Sequence, residues 1–275
     1  MISKKSIAII GAGHLGSALI RGLIKSGYAE KSIIVSNRNP AKLNRLVNEL
    51  DVVPAESNSK AVEDADILIL AIKPQFMHDV CMEIAASVQK KRPLIVSLVG
   101  VTEIKQIALW LGAHDLPIIR VMTNTPMEFG KGTSALFANS LVNTEQKLLI
   151  ESIFNAVGSL FWLDEEQLLD PLTAAIGSAP AYVLLFMEAL QKAAMSQHIP
   201  EKLAEKIAFD VVAGTAVLAE QSGRSFADLR AGVTTPNGIT EHSLKELVIN
   251  DFFDDFKKIY QAANERITQI KEPQI

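Results

Sequence analysis

From residue 6 to about 122 the chain alternates short β-branched apolar runs with stretches of helical periodicity, and this alternation restricts the fold more than any other feature. Ile7–Ile10, Ile33–Val35, Ile67–Ile72, Leu94–Leu98 and Ile118–Met122 read as strands, with helices expected over 14–27, 40–50, 75–90 and 102–111. Each parallel crossover needs a covering helix, so the pattern specifies an α/β fold with a doubly wound parallel sheet. Thr133–Phe137 and Ser159–Trp162, with a helix over 144–156 between them, extend that sheet. After Asp164 the pattern becomes nearly continuous helix, over 165–175, 180–197, 200–222 and 241–270, punctuated by Gly177, Pro180, Pro200, Gly223 and Pro236. The expected division is a sheet domain over 1–164 and an all-helical domain over 165–275.

At 275 residues the chain is expected to form two domains, with one long domain as the alternative, and its 48% hydrophobic residues supply material for a core and for a buried subunit interface. Polar positions are few in Ala204–Ala219, and a helix apolar on most faces is buried on most faces. Such a helix sits at the centre of a bundle or beneath a second subunit, and a dimer built from these helices is the favoured expectation. The apolar run Ala181–Met187 stops at Glu188, short of the roughly 20 residues that a membrane span requires, and reads as a buried helix.

The charge sum, 27 minus 31, is −4 without a long run of one sign, which points away from nucleic-acid and anionic-membrane partners. The start, Met1 to Lys5, runs straight into a strand and lacks the apolar region of a signal peptide, so export is not expected. A lone Cys81 cannot form an intramolecular disulfide and reads as an inert core thiol in a reducing, cytoplasmic setting.

Gly11, Ala12, Gly13, His14, Leu15 and Gly16 follow the first strand and open a helix. The first glycine permits the tight turn, the second lets phosphate approach the backbone, and the third allows close packing of helix on strand. The motif is weak alone and strong in this strand-turn-helix setting. An NAD ribose would be held by a carboxylate ending the second strand. That strand instead ends in Ser36, Asn37 and Arg38, groups suited to a 2′-phosphate, so NADPH is expected ahead of NADH. Ala71, Ile72, Lys73 and Pro74 leave the strand near residue 70 where the cofactor lies; Lys73 serves the nicotinamide ribose or is an ordinary surface lysine. His14 either donates to the pyrophosphate or faces solvent. No histidine carries ligand spacing, so no metal site is expected.

Val233 to Thr240 form a turn rich in backbone donors and hydroxyls, which reads as a carboxylate pocket. With these stretches, Arg120–Pro126 and Gly177–Tyr182 in order and at compatible spacing, the chain resembles the pyrroline-5-carboxylate reductase family from about residue 5 to 270. The resemblance implies a Rossmann domain for NAD(P)H and a helical domain that intertwines with a second copy, with dimers assembling into decamers. It implies reduction of 1-pyrroline-5-carboxylate to L-proline, the last step of proline biosynthesis. By the same resemblance Thr240 is the catalytic threonine on the ring nitrogen, Gly238 and Ile239 bind the substrate carboxylate through backbone N–H groups, and Thr235 stands where a serine is usual. Asn58 matches a residue near the adenosine, Ser97, Leu98 and Val99 a segment beside the nicotinamide, and Glu166 a glutamate near the substrate, though it reads equally as a helix-surface carboxylate.

Three departures from the family pattern bear on substrate choice: Ala179 and Asn237 replace glycines, and bulky Ile239 replaces a small residue or threonine. If those glycines held φ > 0, Asn237 is the best-tolerated substitute, whereas Ala179 would cost about 1 kcal/mol. Reduction of a C=N bond asks little beyond alignment, so a missing His-Asp pair is no objection. Two alternatives stay open at this point. One is a divergent reductase of another cyclic imine or keto acid, for which Lys192, Lys202 and Lys206 lack a recognisable motif; the other is a non-catalytic NADP-binding dimeric scaffold.

Overall fold

The structure is a computed structural model and describes residues 5–249 and 251–271. Residues 1–4, 250 and 272–275, which the sequence reading took into the N-terminal lead, the last helix and the helical domain, lie outside the described residues. In chain order the first part reads β1 (Ile7–Ile10), α1 (His14–Lys25), β2 (Ile33–Ser36), α2 (Pro40–Leu50), β3 (Val53–Pro54), α3 (Asn58–Glu63) and β4 (Ile67–Leu70). It continues with α4 (Met77–Lys91), β5 (Leu94–Ser97), α5 (Ile104–Trp110), β6 (Ile118–Met122), β7 (Gly132–Ala138), α6 (Thr144–Asn155) and β8 (Gly158–Trp162). Local chemistry sets the helix starts. Asn39 caps α2 by accepting from the Lys42 N–H, with Pro40 in the first turn, and Ser57 caps α3 by accepting from the Lys60 N–H.

The strands form one sheet in the order β3-β2-β1-β4-β5-β6-β7-β8. Ile7, Ile9, Ile67 and Ile69 face one side, Ala8, Ile10, Leu68 and Leu70 the other, and helices bury both faces. Every neighbouring pair is parallel except β6 with β7, where Arg120 pairs antiparallel with Phe137. Residues 123–131 are too short a link for a parallel crossover, so the chain turns back beside the strand it has just left. Strand order reverses between β1 and β4, and in such sheets the crevice at the carboxyl ends of those two strands receives ligands.

The helical part comprises α7 (Leu169–Leu172), a π-helical stretch Thr173–Ser178, α8 (Ala179–Ser196), α9 (Glu201–Ser222), α10 (Phe226–Gly232), α11 (Ile239–Ile249) and α12 (Phe252–Lys271). The chain divides into two compact units after Ser178 rather than after Asp164, and from Ala263 onward it belongs again to the first unit. The shift has a packing cause: Leu169 and Ile176 are buried in a cluster with Met122 of β6 and Ala135 of β7.

Within the second unit α8 packs on α9, which buries the small residues Ala204 and Ala208. The helix around Ala181–Met187, expected to be buried, is exposed in the single chain: Leu185 is 66% and Phe209 of α9 is 59% accessible, and α8 contains no buried residue. Helix also continues further than the apolar run suggested, since Glu166–Ser196, at a mean hydropathy of 1.4, is long and apolar enough to cross a membrane on length and composition alone. Two packed helices can bury only the faces they turn to each other. An apolar surface of this extent requires further cover.

Inside the first unit, Arg120 of β6 is 3% exposed, and its Nη1 donates to Glu166 Oε1 at 2.8 Å. Its Nη2 lies 3.7 Å from Asp170 Oδ1, while the Lys271 ammonium at the end of α12 reaches Asp170 Oδ2 at 2.5 Å and Glu103 Oε1 at 3.2 Å. Burial pulls the Lys271 pKa down, but the hydrogen bond and charge of Asp170 outweigh it, leaving the net shift upward. The Glu103 carboxyl is lowered by its hydrogen bonds to Lys105 and Lys271.

Two outcomes follow from this packing. Sedimentation at submicromolar concentration should find no compact folded monomer, because the faces of α8 and α9 stay uncovered in a single chain. Lys271→Ala should lower unfolding free energy by about 1 to 3 kcal/mol in urea titrations, less than a fully buried pair would lose. A raised lysine pKa contributes stability below the ordinary value of 10.5 and loses it above. A lowered carboxylate contributes above its ordinary 4.5 and loses its contribution below. The difference between Lys271→Ala and wild type should therefore be flat from about pH 5 to 10 and shrink outside that window.

Candidate active site

The nucleotide loop is shaped by what its glycines leave out. Gly11 sits at φ +103, and a Cβ there would lie 2.5 Å from the Ala71 carbonyl oxygen; a Cβ on Gly16 would lie 2.1 Å from the Gly11 carbonyl oxygen. A Cβ on Gly13 would meet nothing within 4 Å, so the space over the start of α1 is open. Gly13 caps α1 without a side-chain hydrogen bond, and the first N–H groups of a helix have no intrahelical acceptor. Open space in front of unpaired amides and the positive end of a helix fits a pyrophosphate. His14 begins α1 and is exposed, Leu15 is half-buried, and the Ala12 N–H donates to Asn37 Oδ1 at 3.2 Å.

At the end of β2 the three residues expected at the ribose part company. Ser36 is 5% exposed, and its Oγ donates to Asn58 Oδ1 at 2.7 Å. Asn37 braces the loop, accepting from Ala12 and donating from Nδ2 to the Asn39 carbonyl oxygen. Arg38 is exposed, with its guanidinium carbon 4.1 Å from the centre of the Phe76 ring, a cation–π stack. Sequence reading missed Phe76, and also Glu83 of α4, whose Oε2 accepts from Asn58 Nδ2 at 2.8 Å. Neither belongs to a motif, and only the folding of α4 beside α3 brings them here.

Ala71 and Ile72 are half-buried at the switch point, and Lys73 and Pro74 are exposed beyond them. Ser97, Leu98 and Val99 are buried at the end of β5; the Val99 N–H donates to Ser97 Oγ, and the Leu98 N–H to the Leu70 carbonyl oxygen beside Ala71. Cys81 is fully buried in α4, and burial pushes its thiol up to about 12, which removes it from chemistry at neutral pH.

The turn read as a carboxylate pocket lies in the second unit. Asn237 sits at φ 59, the left-handed region that the replaced glycine would occupy freely, so asparagine is a fitting substitute. Ala179 is helical and has no positive φ, so no such strain arises there. The Gly238 N–H, expected to face a substrate carboxylate, instead donates to the Thr235 carbonyl oxygen at 2.9 Å and closes the turn. A Cβ on Gly238 would sit 2.9 Å from that same oxygen. The Asn237 N–H donates to Glu241 Oε2 at 2.9 Å. Ile239 and Thr240 open α11, where N–H groups lack intrahelical acceptors. Ile239 is 89% exposed, Thr240 is exposed, and the Thr240 hydroxyl makes no hydrogen bond to the described residues.

Glu166 lies in the first unit, where its Oε1 accepts from Arg120 and from the Ile104 N–H, each at 2.8 Å. Two of the alternative lysines are engaged along their own helices, Lys192 with Glu188 and Lys206 with Asp210. Among the described residues no group of His, Cys, Asp and Glu could hold a metal ion.

Residues 166–270 match the family described as pyrroline-5-carboxylate reductase dimerisation, and residues 6–100 the family described as NADP oxidoreductase coenzyme F420-dependent. The pyrroline-5-carboxylate reductase of Pseudomonas aeruginosa is 34% identical over 98% of both chains. A solved pyrroline-5-carboxylate reductase of Coxiella burnetii superposes with a TM-score of 0.88 at 34% identity, over 98% of this chain and all of that one. The Plasmodium falciparum pyrroline carboxylate reductase with NADP bound superposes with a TM-score of 0.89 at 25% identity, over 99% of this chain and all of that one.

Arg38, the exposed cation just past β2 expected at the ribose edge, gives that expectation a measurable signature. Arg38→Ala should lower kcat/KM for NADPH by about 10- to 150-fold, the loss of one charge-assisted contact of roughly 1.5 to 3 kcal/mol, and affect NADH much less. An equal loss with both cofactors would remove the assignment.

Proposed function

The chain belongs to the pyrroline-5-carboxylate reductase family, and from that premise we propose how its own residues carry out the NADPH-dependent reduction of 1-pyrroline-5-carboxylate to L-proline, the final step of proline biosynthesis. It is an oxidoreductase acting on a C=N bond. When bound, the nicotinamide supplies the hydride. The start of α1 would hold the pyrophosphate, Arg38 the ribose end, and Ala71 to Pro74 with Ser97 to Val99 the nicotinamide end.

The observation that carries the substrate assignment is the turn from Thr235 to Thr240. In it the Thr240 hydroxyl, without a hydrogen-bond partner among the described residues, stands in the first turn of α11, among amides that helix geometry leaves unpaired. The Ile239 and Thr240 N–H groups receive the carboxylate, with the helix dipole adding to the attraction. Gly238 holds the turn closed, Asn237 supplies its left-handed residue, and Thr235 keeps the hydroxyl at the position where serine is usual. The Thr240 hydroxyl oxygen accepts from the protonated ring nitrogen, which favours the charged, more electrophilic imine. Orientation and electrostatics suffice, because the iminium carbon needs no further activation.

Glu166 contributes through position: with Arg120 and Ile104 it fixes the segment that leads into the helices. The dimerisation segment 166–270 supports self-association, and we extend this to dimers that assemble into a decamer, working in the cytoplasm.

Loss of NADPH absorbance on adding pyrroline-5-carboxylate tests the activity directly. Thr240→Ala should reduce kcat/KM by about 10- to 150-fold, and Thr240→Ser should retain much of it. Gly238 rather than Thr240 precedes α11, so Thr240 is not the cap and its removal should shift stability by less than about 0.5 kcal/mol. Turnover within twofold of wild type alongside a lowered Tm would contradict the catalytic role.

A further inference from the structure

The ribose edge of the nucleotide site carries a hydrogen-bond polarity that follows from one carboxylate. Glu83 Oε2 accepts from the Asn58 amide nitrogen at 2.8 Å, which fixes the orientation of the Asn58 amide. That orientation turns Asn58 Oδ1 toward Ser36 Oγ, 2.7 Å away, and an amide oxygen can only accept. The single hydroxyl proton of Ser36 is therefore committed to Asn58, and its remaining capacity is lone pairs. A ribose 2′-hydroxyl can donate to such an oxygen. A 2′-phosphate, which needs donors, gains nothing from it. Ser36 ends β2, where the adenosine ribose lies in a sheet of this kind, and Arg38 follows two residues later. Neighbouring groups thus favour opposite cofactors: Arg38 the phosphate, Ser36 the free hydroxyl.

We propose that Glu83 is a positioning residue that, through Asn58, holds Ser36 as a hydrogen-bond acceptor and so keeps the site open to NADH beside NADPH. The inference rests on the nucleotide site assigned above. With the Glu83 charge removed, the Asn58 amide is free to turn its NH2 group toward Ser36, which releases the serine proton for a phosphate oxygen. The backbone contact from Ser59 Oγ to the Glu83 carbonyl oxygen, 3.1 Å, does not depend on the carboxylate.

Calorimetric titration of the full-length protein with NADP+ and with NAD+, without substrate, reads this directly in wild type, Glu83→Gln and Ser36→Ala. Glu83→Gln should raise the ratio of NADP+ to NAD+ affinity by at least about threefold, the effect of one reassigned hydrogen bond. Ser36→Ala should weaken NAD+ by at least about threefold and leave NADP+ unchanged or tighter, which separates the relay from a simple loss of negative charge. A smaller change in the Glu83→Gln ratio overturns the proposal, as does a Ser36→Ala protein that loses NADP+ more than NAD+. If Glu83→Gln does not fold, the Ser36→Ala result decides alone. Wild-type protein that binds neither dinucleotide would instead refute the nucleotide site, an outcome distinct from an unmoved ratio.

Discussion

Arg120 is, among the described residues, the charged side chain held inside the buried core, and much of the first unit is arranged around that fact. A guanidinium removed from water costs several kcal/mol unless carboxylates and hydrogen bonds replace its hydration. Glu166 and Asp170 provide the replacement, and to do so the segment after β8 must lie against β6. Once there, Glu166 also ties down the start of α5 through the Ile104 N–H, and Asp170 draws in Lys271 from the far end of the chain. One buried cation therefore ties the segment after β8, the start of α5 and the end of α12 to the same place on β6.

On the proposed assignment, the two candidate ends bind an anion without a dedicated cluster of cations, by the same means. At the nucleotide loop, glycine keeps side chains out of the space before α1; at the substrate turn, Asn237 and Gly238 bend the chain so that α11 opens onto solvent. Both rely on unpaired amides at a helix start. Their departures from the family pattern are compatible with this, since the left-handed position at residue 237 is filled by the non-glycine residue type that tolerates it best, and Ala179 sits in ordinary helix.

Long periodic elements were legible in the sequence because burial repeats along them: the strands from Ile7 to Met122 and most longer helices match their expected ranges within a few residues, but the single helix expected over 241–270 is two, Ile239–Ile249 and Phe252–Lys271, with Asp251 at φ 53 between them. Direction was not legible for β7, whose run of apolar residues looks the same pointed either way; only the short link from β6 decides it. The helices Asn58–Glu63 and Phe226–Gly232 are too short to show a period. At the candidate site, the motifs stand out in the sequence and the residues that brace them do not. Phe76 and Glu83 are unremarkable in sequence, and the use of the Gly238 N–H inside its own turn depends on a carbonyl direction that residue identity does not encode.

The Lys271 contact sets an order of completion for the nascent chain. Asp170 and Lys271 are separated by 101 residues, and the whole second unit is synthesised between them. At roughly 5 to 20 residues per second, the carboxylates around Arg120 wait on the order of 5 to 20 s for their last cation. The unit that is translated first is thus finished last, held until the helices destined for a second subunit have already emerged.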